Sequence, residues 1–92
     1  MKKFILISAL LFSFNGWAYN ETDLAKLKAL NACVGCDLSG ANLQRANLNN
    51  ANLNNADLIG ADFTGVNFRD AKLEGAKFCK TQMPWGEVND DC

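Results

Sequence analysis

The chain of 92 residues contains no histidine. Imidazole is the usual general base near neutral pH and a common zinc ligand, so both chemistries lack their usual group. Serine is nearly as scarce: beyond residue 18 only Ser39 remains, with no base beside it in sequence. Nothing here spells a nucleophile with its activating partner. Long apolar runs are absent too. The longest, Phe4 to Phe14, is interrupted by serines and falls short of the roughly 20 residues a membrane-spanning helix needs. Charge of one sign is also lacking, since 9 Lys and Arg face 10 Asp and Glu for a net charge of -1. Such a balance predicts solubility and leaves no electrostatic footprint for nucleic acid.

What is present begins with a leader. Lys2 and Lys3 form a basic start, the apolar run follows, and Gly16 and Ala18 are small residues at the -3 and -1 positions of a cleavage site. The pattern predicts a signal peptide over 1–18, cleaved after Ala18, and a product in the periplasm or outside the cell. No Cys stands just after the apolar run, which argues against a lipid anchor, and no stable membrane insertion is expected. Loss of Lys2 and Lys3 moves the net charge from -1 to -3.

A product of that size is marginal for a single hydrophobic core, and small exported domains are commonly stapled. Cys33 and Cys36 form a CVGC, and Cys79 and Cys92 bracket the tail. Four cysteines allow three pairings, and an oxidising compartment favours disulfides over free thiols. Zinc is not expected, because the spacing matches no common site and histidine is missing.

The middle of the chain repeats one phrase, ANLQR ANLNN ANLNN ADLIG ADF. On an α-helix a five-residue step leaves a net advance of about 140°, which scatters Leu43, Leu48, Leu53 and Leu58 around the axis. On a continuous strand an odd period throws alternate leucines to opposite faces. The remaining solution is a chain that turns by the same angle after each five residues, presenting a small and a large residue inward every time. The large slot is filled by Leu38, Leu43, Leu48, Leu53, Leu58, Phe63, Phe68, Leu73 and Phe78, which makes nine repeats from Cys36 to Lys80.

With its phrase of the form A(D/N)LXX, this stretch resembles the pentapeptide repeat family. The resemblance implies an all-β solenoid, a right-handed quadrilateral β-helix in which four repeats make one coil, so nine repeats give about two coils. Stacked at about 4.8 Å, the column is roughly 11 Å tall. Leu38, Leu58 and Phe78 then share one column, and the larger side chains collect toward the C-terminus, so the core is expected to grow fatter there. Cys36 and Cys79 fall about 10 Å apart by strand spacing, beyond disulfide reach. The simplest pairing is Cys33 with Cys36 and Cys79 with Cys92, while a Cys92 that reaches back over the stack is an alternative.

Solenoid ends need covers. Residues 19–35 are read as the N-terminal cap, a short amphipathic helix opened by Asn20 or Thr22 that presents Leu24, Leu27 and Leu30 as one stripe and is already ending at Asn31. Residues 36–80 are the repeats. Residues 81–92 are read as the C-terminal cover, with Met83, Trp85 and Val88 around a turn at Pro84. The outward Asn residues of the repeats suit corners and amide ladders. Trp85 is an anchor of that cover or, if exposed, a binding residue. Ile59 is an apolar residue in an outward slot between Ser39 and Cys79. These two are the candidate interaction residues.

The expected function is a non-enzymatic structural or protein-interaction module, with an unknown protein partner, no nucleic acid and no cofactor. Asp57 and Asp62 are outward and solvated rather than paired for catalysis. Some members of the family mimic DNA and bind topoisomerases, but those are long acidic rods, and Lys72, Lys77 and Lys80 dilute any acidic stripe here. A thiol redox role for the CVGC finds no βαβ setting.

Overall fold

The computed structural model describes residues 19–92, so the leader expected over 1–18 lies outside the described residues. The chain enters through helix α1, Glu21–Leu30. Asn20 caps it by accepting a hydrogen bond from the Asp23 amide at 3.0 Å, and Glu21 and Asp23 sit in the first turn. Both features satisfy or oppose the positive end of the helix. The helix hangs on the first turn of the repeats, since the Asn20 amide donates to the Asp37 carbonyl and the Asp37 amide donates to Asp23 Oδ2. Leu27 is buried and Leu24 half-buried, but Leu30 is 66% exposed and does not join the expected stripe. The cause lies one residue on. Asn31 adopts a left-handed conformation that ends the helix, and its side-chain amide donates to the Asn49 carbonyl at 2.8 Å. The last helical turn is thereby held off the core.

From Asn31 onward the chain returns to lie beside itself every 20 residues. Parallel bridges join Ala32 to Asn52, Asp37 to Asp57, Asn42 to Asp62, Asn47 to Asn67, Asn52 to Lys72, Asp57 to Lys77 and Asp62 to Gln82. Each level therefore has four sides. The first side stacks 31–35, 51–55 and 71–75; the second, 36–40, 56–60 and 76–80; the third, 41–45, 61–65 and 81–85; the fourth, 46–50 and 66–70. The stack takes in one more repeat at each end than the phrase suggests: Cys33 is buried in a large slot, and Thr81 and Met83 are buried in a small and a large one.

The corner explains the period. At the corners from 33 to 76 the residue after the corner donates its amide to the large-slot carbonyl three residues back, as Ala46 does to Leu43 and Ala56 to Leu53. The residue just before it has positive φ: Gly35, Gly40, Arg45, Asn50, Asn55, Gly60, Gly65, Asp70, Gly75 and Lys80. A four-residue turn with positive φ at its third position is the type II turn, which favours Gly and Asn there. Corners this frequent leave one bridged residue per side on each level, and Asn52, Asp57 and Asp62 are bridged in both directions. The repeats thus contribute isolated parallel bridges and no continuous strand. The only strands among the described residues are β1, Thr81–Met83, and β2, Gly86–Val88, an antiparallel hairpin turning at Pro84 and Trp85.

Ala41, Ala51, Ala56 and Ala61 in the small slot are fully buried, as are Leu38, Leu53, Leu58 and Phe63 in the large one; Leu43 and Leu48 are nearly so. The last level differs. Phe68, Leu73 and Phe78 are half-buried, so the larger side chains near the C-terminus do not make a fatter closed core. The tail covers only part of that level: Phe78 exchanges bonds with Asp91, and the Lys80 amide donates to Asn89 Oδ1.

These differences set the order of mutational costs. Leu58→Ala in the closed interior is expected to lose about 2–5 kcal/mol in urea unfolding, whereas Leu73→Ala, half-exposed, loses less than about 2 kcal/mol. Gly75→Ala is expected to cost at least about 1–2 kcal/mol, because an L-residue there is forced to positive φ and its Cβ collides with Asn55 Oδ1 above it.

Candidate functional site

In the seven repeats from 36 to 70 the second residue points outward, and its side chain has local work to do. Asp37 Oδ1 accepts the Ser39 amide, Asn42 Oδ1 that of Gln44, Asn47 Oδ1 that of Asn49, and Asn52 Oδ1 that of Asn54. Asp57, Asp62 and Asn67 do the same for Ile59, Thr64 and Arg69. Each bond spans two residues and braces the approach to a corner, which is why Asp and Asn alone occupy these places. Lower down other acceptors take over: Asn54 Oδ1 accepts the Glu74 amide from the level above, and Thr81 Oγ1 accepts the Cys79 amide. Much of the polar surface is therefore part of the scaffold, a role the repeated Asn did not announce by itself.

Asp62 is the most engaged of these carboxylates. Its Oδ1 accepts from the Thr64 hydroxyl at 2.6 Å, and its Oδ2 accepts from Gln44 one level away. These bonds, that of Thr64 first, hold its pKa below the usual value of an aspartate. Glu87 in the tail is lowered in the same direction by bonds from Asn89 and Gln82. Asp57 and Asp62 occupy neighbouring sides, each bonded to its own turn, and form no acid–base pair.

Cys33 is joined to Cys36, and Cys79 to Cys92. Both sulfur-bearing residues of the CVGC are buried, so an attacking thiolate has no access to that bridge. Cys92 is exposed. Among the described residues no group of three His, Cys, Asp or Glu side chains is placed to hold a metal ion.

The two candidate interaction residues separate. Ile59 is half-buried in the second side, and its amide and carbonyl are both bonded. Trp85 is 69% exposed at the turn between β1 and β2, so it is not the anchor of a closed cover. Its ring lies 6.3 Å from that of half-buried Phe68, which lies 5.2 Å from buried Phe63. A tilted aromatic row thus leads from the surface into the core, a geometry that orients Trp85 while leaving its outer face free. Phe68 gave no sign of this in the sequence, because it sits in an ordinary large slot and the contact depends on the hairpin. No helix among the described residues is long and apolar enough to cross a membrane.

A family model described as pentapeptide repeats, in 8 copies, matches residues 33–70 and 46–83, which together span more than half of the chain. Neither a curated protein nor a solved structure matches it.

The bonds to Asp62 stabilise its charged form, so their contribution is present above the unfolded-state pKa, near 3.8, and is lost as pH falls through the lower folded value. Asp62→Asn keeps the acceptor for Thr64 but not the charge. The wild-type chain is expected to unfold at higher urea than the variant at pH 7, and the gap is expected to narrow as pH falls below the ordinary aspartate value and to vanish once the folded-state carboxylate is protonated.

Proposed function

The chain belongs to the pentapeptide repeat family, and from that premise we propose that it is an exported, non-enzymatic module that works by presenting a rigid surface to another protein. The scaffold of this reading is a right-handed quadrilateral β-helix, supported by parallel bridges at a constant offset of 20 residues and a turn at every fifth. Export is supported by the leader pattern over 1–18 and is compatible with two disulfides, which persist in oxidising compartments. Cleavage after Ala18 and residence in the periplasm or outside the cell belong to the same proposal.

The observation that carries the interaction reading is Trp85. A large aromatic ring exposed on a hairpin whose neighbours hold it in place has the character of a binding hot spot. The interior offers no alternative, since alanine and leucine fill it. The outward Asp and Asn residues are bonded to their own turns, so they have less to offer a ligand than their number suggests.

Intact mass of protein recovered from the cell envelope is expected to show loss of residues 1–18 and no thiol open to alkylation before reduction; a retained leader removes the export reading. Cross-linking in the envelope is expected to capture a protein whose yield falls at least about tenfold with Trp85→Ala, a loss in the range of a buried hot-spot residue. Capture that is indifferent to Trp85 overturns this choice of surface.

A further inference from the structure

The two disulfides sit in opposite surroundings. Cys33 and Cys36 are buried, so their bridge opens only when the first level of the stack opens with it. Cys79 is half-buried and Cys92 exposed. An exposed bridge is the labile one, because exchange requires a thiolate to reach one of its sulfurs.

The exposed bridge also holds a segment with little else to hold it. From Pro84 to Cys92 only Val88 is half-buried, and every other residue is exposed. So little apolar burial does not offset the entropy lost when the segment is ordered. Its other attachments are the short hairpin of β1 and β2 and a few polar bonds beside the bridge. Asn89 Oδ1 accepts the Lys80 amide, Asp91 Oδ2 accepts the Phe78 amide, and the Asp91 amide donates to the Phe78 carbonyl. Elsewhere on that level the tail gives no bond: the amides of Phe68, Asp70, Leu73 and Gly75 have no acceptor among the described residues. Trp85 stands at the turn of this same hairpin, in contact with Phe68. The tail is therefore a two-state element, docked while the bridge is closed and released when it opens.

We propose that the Cys79–Cys92 bridge is a reducible latch, opened by a protein dithiol, that governs the surface around Trp85, while Cys33–Cys36 is a permanent staple. This is regulation of the surface already assigned to binding, so its consequence rests on that reading. In the opening step a thiolate of the dithiol attacks Cys92 Sγ, the S–S bond breaks, and its electron pair leaves on Cys79 Sγ, which takes up a proton. The second thiolate of the dithiol then attacks its own partner sulfur in the mixed disulfide and releases Cys92, which is protonated in turn. The chain gains two electrons and two protons, and the dithiol becomes a disulfide.

Oxidised protein purified from the full chain is treated with about 1 mM dithiothreitol near pH 7.5, and thiols are located by alkylation and peptide mass; Cys79 and Cys92 are expected to label at least about a hundredfold faster than Cys33 and Cys36. By NMR, the amides of Phe78, Lys80 and Asp91 are then expected to exchange at least about tenfold faster, with those of Leu53 and Leu58 unchanged. Magnetisation transfer between the rings of Phe68 and Trp85 is expected to fade. The pair Cys79→Ser with Cys92→Ser keeps the other bridge and is expected to show the same released tail without reductant, with cross-linked capture in the envelope reduced at least about fivefold. Bridges that open at one rate overturn the proposal, as do tail amides still protected after reduction and a loss of protection at Leu53 and Leu58. Full capture by the double serine variant removes the regulation and leaves the interaction module standing. A wild-type chain that captures nothing removes the interaction module alone, since the labelling, exchange and ring contact that decide the latch are read without a partner.

Discussion

Everything in this molecule depends on one backbone conformation repeated at intervals of five. A residue with positive φ turns the chain after each short side, and the amide that follows closes the turn onto the large-slot carbonyl. Because the turn angle is the same each time, four sides return the chain to its start one level lower. The hydrophobic pattern then has no freedom: one small and one large side chain per side point inward, and the fit between Ala and Leu sets the width of the column. The corner also dictates how adjacent levels touch. Gly65 lies beneath Arg45 and Gly75 beneath Asn55, so at these two corners a side chain is met by glycine on the next level.

The corner needs a brace, and the brace takes up the surface. An Asp or Asn two residues before the turn accepts the amide of the residue that enters it. The letter that makes the repeats look most like a binding face is therefore the one most tied to backbone geometry. This division changes where function can sit. Inward slots tolerate only a narrow range of volumes, and from Asp37 to Asn67 the bracing slot holds only a short acceptor. Variation is left to the other outward positions and to the two ends.

The small-and-large alternation was legible because burial acts on side-chain size, a property read directly from letters. The N-terminal helix was legible for the same reason, through Asn20 and the spacing of Leu24 and Leu27, yet Leu30 escaped: its exposure follows from a bond between Asn31 and the Asn49 carbonyl, remote in sequence. The extra repeats at 31–35 and 81–85 are spelled NACVG and TQMPW, which fill the slots without the phrase. Cys33 serves for Leu, Thr81 for Ala and Met83 for Leu, and Thr81 fits only because its hydroxyl donates to the Leu58 carbonyl at 2.8 Å. Of the candidate site, Trp85 could be named but not placed, since exposure depends on a two-residue hairpin turn. The open edge beside it was not legible at all, because an unpaired amide has no letter.

The loss of the phrase near the end is itself informative. Bracing residues Asp and Asn run from Asp37 to Asn67, and the next outward positions are Lys72, Lys77 and Gln82. A repeat with more levels below it would be expected to keep both its brace and its closed core. Here the brace is replaced by bonds from Asn54 and Thr81, and the large side chains Phe68 and Leu73 stand half-open. The hairpin then reverses the chain after Trp85, at the place where the fourth side would begin again. Reversal there leaves Phe68 and Leu73 half-exposed at one end of the stack, with the amides of Phe68, Asp70, Leu73 and Gly75 lacking an acceptor among the described residues. The physical reason for assigning recognition to that end is this asymmetry: the interior of the repeats is saturated, and the place where they stop is not.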